Sequence, residues 1–195
     1  MIMQLARKAI FSLLALVLLG GCASLGTGTG DVYHDELMDF AAIKTVAVLP
    51  FTNLTSDPAG ASRVRDTFTT MLMATQALYV IPHGEVARGI SRAGLVDPTQ
   101  PTPAEVKKLA GIIDADAVIS GVLREYGEIR SGSIAAPVIS ISLQMYDKDS
   151  GAVVWVGSTT RGGVTMADRL LGGGGEPLDG VTREAVNDLL DRLFQ

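Results

Sequence analysis

Hydrophobic positions fall into three patterns along the chain: short unbroken runs, strict alternation, and helical spacing. Thr45-Val46-Ala47-Val48-Leu49 is an unbroken run closed by Pro50, as in a strand buried on both faces. The turn-rich loop Phe51–Gly60 follows. Val64, Phe68, Met71, Leu72 and Thr75 then recur at helical spacing, predicting a helix from Ala61 or Ser62 that ends before Tyr79. Tyr79–Ile81 is a second short strand and Glu85–Ala93 a short helix stopped at Gly94. Thr102-Pro103-Ala104-Glu105 has the residue types of a capping box with proline at the first helical position. Val106, Leu109, Ala110 and Ile113 give that helix its buried face. A third strand starts at Ala117 and runs to about Ile129. Ile139, Ile141, Leu143 and Met145 alternate with polar partners, the mark of a half-buried strand. Asp147–Gly151 turns the chain, and Val153–Thr159 returns as the hairpin partner. A last helix from about Thr182 turns Val186, Leu189, Leu190 and Leu193 inward. Residues 31–42 do not declare an element, and a short helix with Leu37 and Phe40 on one side is one option.

The order β-α-β-α-α-β-β-β-α predicts an α/β (α+β) fold: a single mixed sheet of about five strands, with helices packed on it. Consecutive βα units favour parallel pairing on one side, and the hairpin makes the other side antiparallel. A domain of about 150 residues can bury a sufficient core unaided.

The N-terminus follows a different logic. Arg7 and Lys8 precede an apolar run from Ile10 to Leu19 that is broken only by Ser12, and Gly20, Gly21 and Cys22 follow. The run is too short and wrongly flanked for a stable span, so residues 1–21 are expected to be a secretory signal. Leu19-Gly20-Gly21-Cys22 resembles the lipobox of bacterial lipoproteins. The resemblance implies cleavage before Cys22, lipidation of its thiol, and acylation of the new N-terminus. Ala23 and Ser24 stand where an inner-membrane retention Asp would, which implies the outer membrane. Residues 22–42 are expected to be the lipidated Cys and a short tether, and residues 43–195 the folded periplasmic domain.

The chain has 195 residues, 19% charged, with a net charge of −5, and the mature form loses two cations and no acid. No cluster of Lys and Arg is present, so nucleic-acid binding is not expected. The single Cys excludes an internal disulfide or a Cys-based zinc cluster. No metalloprotease, nucleophile-elbow or phosphate-loop motif occurs, and neither catalytic residues, cofactor nor metal is expected. His83 follows Pro82 at a strand end, where a functional residue could sit, but it has no nearby His or Cys partner. Asp114 and Asp116 are best read as helix termination, Asn53 as ordering its loop, and Asp147–Gly151 as a hairpin turn rather than a calcium loop. Trp155 on the hairpin is expected in the core or as an edge anchor. Residues 162–180 contain seven Gly and are expected to be a loop. Met166, Leu170 and Leu171 lie in it at helical spacing and are candidates for partner contact or self-association.

Val46-Ala47-Val48-Leu49-Pro50-Phe51 with Asn53, Ala115–Gly121, and Tyr146–Trp155 resemble, in order and spacing, motifs of the envelope lipoprotein superfamily of the curli secretion channel CsgG and the penicillin-binding-protein activator LpoB. The resemblance covers most of residues 43–160. It implies a non-enzymatic lipoprotein that acts as a protein-binding scaffold or accessory factor in assembly of an outer-membrane or secretion complex. The alternative it implies is a regulator of a peptidoglycan synthase. The expected partners are the membrane, through Cys22, an envelope protein, and other copies of the chain. Gly127–Pro137 is expected to hold only a turn, and Gly162–Gly180 does not alternate, so no pore-forming hairpins are expected.

Overall fold

A computed structural model describes residues 30–131, 134–162 and 176–195. One mixed sheet forms its centre. In chain order its strands are β1 (Val32–His34), β2 (Thr45–Val48), β3 (Thr52–Asn53), β4 (Tyr79–Val80), β5 (Ala117–Ser131), β6 (Ile134–Asp147) and β7 (Val153–Gly162). They lie in the order β1-β7-β6-β5-β2-β4, with β3 alongside β5. β4, β2 and β5 are parallel, as are β3 and β5, while β5, β6, β7 and β1 are antiparallel. The helices are α1 (Gly60–Thr75), α2 (His83–Ala93), α3 (Pro103–Ile113) and α4 (Leu178–Leu193).

The sheet splits the core in two. α1 and α4 cover one face, where Val64, Phe68 and Leu72 meet Val186 and Leu189 over Val48, Ile119, Ile141 and Trp155. α2 and α3 cover the other face, where Val86, Val106 and Leu109 pack on Ala47, Leu49 and Val118. The unbroken run in β2 is explained by this: Val46, Ala47, Val48 and Leu49 are all fully buried because both faces are covered. β6 alternates in residue type: Ile139, Ile141, Leu143 and Met145 join the core under α1 and α4, while Ser140, Ser142 and Gln144 lie on the opposite face. Ser142 pairs with Ser158 and Ser140 with Thr160 on the polar side. The capping box forms as expected: the Thr102 hydroxyl accepts from the Glu105 N–H, and the Glu105 carboxylate accepts from the Thr102 N–H.

The mixed sheet is the expected one, with seven strands in place of about five. The two additions, β1 and β3, are three and two residues long, too short to carry a period. β1 lies within residues 31–42, so the sheet begins upstream of the expected domain start at residue 43. The segment Gly127–Pro137, expected as a turn, is instead paired ribbon, with Gly127 opposite Val138 and Ser131 opposite Ile134. A bulge between Leu123 and Glu125 and a Gly127 φ of +143° let β5 twist onward, a backbone freedom that hydrophobic periodicity does not report. α4 starts at Leu178, four residues before Thr182, and β7 ends at Gly162, so both ends of the Gly-rich stretch are regular structure.

Candidate functional site

The side chains singled out for chemistry are held in structural work. Asp114 caps α3 with left-handed backbone at φ 54°. Asp116 accepts from the N–H groups of Lys44 and Thr45, each at 3.0 Å, and from Lys148 Nζ at 2.6 Å. The Lys148 hydrogen bond, helped by the two N–H groups, holds the Asp116 carboxyl below its ordinary pKa against the opposing effect of burial, and Lys148 is raised in turn. Asn53 orders its loop by donating to the Asp57 carbonyl at 2.8 Å and accepting from the Thr55 N–H at 3.0 Å. Asp147 accepts from Ser150 N–H at 2.8 Å, and Gly151 takes φ 69°, which makes Asp147–Gly151 a turn. Trp155 is fully buried.

His83 is the first residue of α2. Its Nε2 is 3.2 Å from the Thr69 hydroxyl and its Nδ1 3.6 Å from Asp66. Burial, reinforced by the nearby Arg65 guanidinium, lowers its pKa, and Asp66 only partly opposes this. Arg65 itself donates to the Val48 carbonyl at 2.5 Å. Among the described residues no group of three or more His, Cys, Asp or Glu could hold a metal ion.

Two features went unread in the sequence. The first is a charged network between β7 and α4. Asp188 accepts from Thr159 Oγ1 at 2.5 Å and pairs with Arg161 at 2.9 Å and Arg192 at 3.1 Å. Burial pushes the Asp188 carboxyl up, but Thr159 and the two guanidinium groups outweigh it, and the pKa lies below its ordinary value. The Asp188–Arg192 spacing of four was the one available signal. The second is an open groove of about 560 Å³ between the C-terminal ends of α1 and α4. Met71, Leu190 and Phe194 form its apolar part and Arg183 and Asp191 its charged rim.

Next to the network, the N-terminal arm docks along β7. The Ser158 N–H donates to the Asp31 carbonyl at 2.9 Å and the Asp35 N–H to the Val154 carbonyl at 2.8 Å. His34 Nε2 lies 3.1 Å from the Arg192 carbonyl near the end of α4, and its ring stands edge-on to Phe40 and Trp155. The chain N-terminal to the fold thus enters at the free edge of β7. Cys22, Met166, Leu170 and Leu171 lie outside the described residues.

A mixed sheet with helices on both faces and a short N-terminal strand at its edge defines an α+β domain. Residues 38–191 match the family described as "Putative lipoprotein GNA1162-like", and the chain belongs to that family. No curated protein matches the sequence. Among solved structures, the PelC dodecamer from Paraburkholderia phytofirmans is similar at 19% identity and TM-score 0.55, covering 86% of this chain and 97% of that one. Lipoprotein GNA1162 from Neisseria meningitidis is similar at 19% identity and TM-score 0.53, covering 76% and 99%. At these identities the likeness establishes the fold. The LpoB C-terminal domain from Salmonella enterica, at 17% identity and TM-score 0.47 over 65% and 86%, is too distant to add to it.

Proposed function

We propose that the chain is an outer-membrane lipoprotein, acylated on Cys22, whose periplasmic domain is a non-enzymatic scaffold or accessory factor in assembly of an envelope or secretion complex. The observation that carries this reading is the lipoprotein-family match over residues 38–191, joined to Leu19-Gly20-Gly21-Cys22 after an apolar run. The structural use of Asp114, Asp116, Asn53 and Asp147 is consistent with a binding role. Kinship with the curli-channel superfamily, without its pore, is part of the same reading. The β5–β6 ribbon beyond Tyr126 has five residues on the β5 side and includes Glu128 and Arg130. A membrane-spanning strand needs ~9–11 residues with an apolar face. The test is Cys22→Ser, with metabolic acyl labelling and membrane fractionation. The variant should stay as an unlabelled precursor. A variant that still matures and fractionates with the outer membrane sinks the reading.

Self-association belongs to this proposal, with Met166, Leu170 and Leu171 as contact residues. The dodecamer formed by PelC is the supporting precedent in this fold. Leu170→Asp with Leu171→Asp should lower the oligomer mass in light scattering while thermal stability stays unchanged. A large loss of stability would make the leucines core instead.

A further inference from the structure

We infer that the N-terminal arm, residues 31–42, is a releasable latch on β7 that gives the domain two heights above its membrane. The height depends on lipidation at Cys22 as proposed above, whereas the latch itself does not.

None of the twelve residues from Asp31 to Ala42 is buried, and Ile43 is the first that is. Val32 and Tyr33 are each 50% exposed and Leu37 is 96% exposed. The longer strands β2, β5, β6 and β7 all carry fully buried side chains, so removing β1 takes little apolar surface out of the core. Its fastenings are few: the Asp31 and Asp35 backbone bonds, the Asp31 N–H to Ser158 Oγ at 3.1 Å, His34 on the Arg192 carbonyl and edge-on to Trp155, and the partial burial of Met38 and Phe40 against the core. Segments with few buried contacts and exposed backbone bonds open first, well below the free energy of global unfolding. β7 remains in place when the arm leaves, because it is also paired along its length with β6 and pinned to α4 through Thr159, Arg161 and Asp188.

Opening changes reach. With the arm docked, the eight residues 23–30 separate Cys22 from the fold and span at most about 28 Å, even fully extended. With the arm released, the chain is free to Ala42 and the same limit becomes about 70 Å. A docked domain is confined near its lipid leaflet. A released one can meet a partner several nanometres away and leaves the β7 edge from Val154 to Ser158 open.

The test uses the full lipidated chain in detergent and in vesicles. Tyr33 lies directly opposite Val156, so Tyr33→Cys with Val156→Cys locks the arm when oxidised. Tyr33→Pro releases it by removing a strand N–H. In the native chain the Ser158 and Asp35 amides should exchange hydrogen at least about ten-fold faster than the amides that join β6 to β7, and the lock should abolish the difference. Tyr33→Pro should remove protection at Ser158 while the melting temperature moves by no more than about 3 °C. Energy transfer from a dye on α2, at Ser91→Cys, to a labelled lipid should be weaker in the released variant than in the locked one. Native exchange at Ser158 as slow as in the β6–β7 ladder overturns the latch, as does a melting loss above about 10 °C in Tyr33→Pro. Equal energy transfer in locked and released variants overturns the two heights. An unacylated Cys22 overturns the anchoring reading and the heights with it, while the exchange rates still decide the latch.

Discussion

Asp188 shows what a single partly buried charge does here. Its side chain is 15% exposed, and three donors converge on it from β7 and α4. Removing one partner of such a group leaves the others desolvated and uncompensated, which costs more than the pair contributes in net terms. Asp188→Asn keeps the shape and removes the charge with which both Arg161 and Arg192 pair. A loss of ~2–3 kcal/mol is expected in denaturant unfolding, read at constant m-value. The folded-state pKa of Asp188 is depressed, so its contribution is present above the unfolded carboxylate value near ~4 and is lost as pH falls through the lower folded value. The variant should therefore show a flatter stability profile below pH ~4 than the native chain.

At the scale of elements, two glycines in neighbouring helices have opposite meanings. Gly89 of α2 faces α3 so closely that an added Cβ would lie 2.3 Å from Ile113 Cγ2 and 3.0 Å from Leu109 Cδ1. Gly111 of α3 has nothing within 4 Å. Replacing a helical glycine by alanine gains ~1 kcal/mol through backbone entropy and propensity. Overpacking a tight helix contact costs ~1–3 kcal/mol. Gly89→Ala should thus lower the melting temperature, and Gly111→Ala should raise it. Differential scanning calorimetry distinguishes the pair, and a stabilised Gly89→Ala would mean that α2 and α3 can move apart freely. Both residues look alike in sequence, as helix-interior glycines. Only the packing of α2 on α3 separates them.

For the whole molecule, the displaced groups point the same way on the acid side. Thr99 and Thr102 donate to Asp97 and Glu105, Lys148 to Asp116, and Thr159 with its arginines to Asp188, and all four carboxyl groups lie below their ordinary values. His83 is also depressed, chiefly by burial. A depressed group supports the fold above its unfolded pKa and stops doing so as pH falls through the folded one. Stability is therefore expected to hold from pH ~7 down to ~6.5, to weaken as His83 takes up its proton, and to fall faster below pH ~4. Thermal unfolding at neutral, mildly acidic and strongly acidic pH measures it. A melting temperature that is the same at pH ~3 as at pH ~7 would mean these contacts do not differ from the unfolded chain.

Much of the molecule was legible beforehand because its signals are local. A capping box needs four consecutive residues, Thr102 to Glu105, and a buried parallel strand needs one apolar run, Val46 to Leu49. The alternation in β6 reports which of its faces joins the core under α1 and α4, and the Asp147–Gly151 turn follows from its side chains. These determined the mixed sheet, the order of its main elements and the core side chains, among them Trp155. Tertiary structure alone decided the rest. The three residues of β1 have no periodicity, and they become a strand only because β7 offers a free edge. The β5–β6 ribbon continues past Gly127 because cross-strand pairing and a glycine's backbone freedom outweigh weak alternation. Thr159, Arg161, Asp188 and Arg192 become one network through the approach of α4 to β7, and the network lies beside the place where the N-terminal arm docks. Residues far apart in sequence share a site only when packing brings them together, and that proximity leaves no periodic trace in the chain.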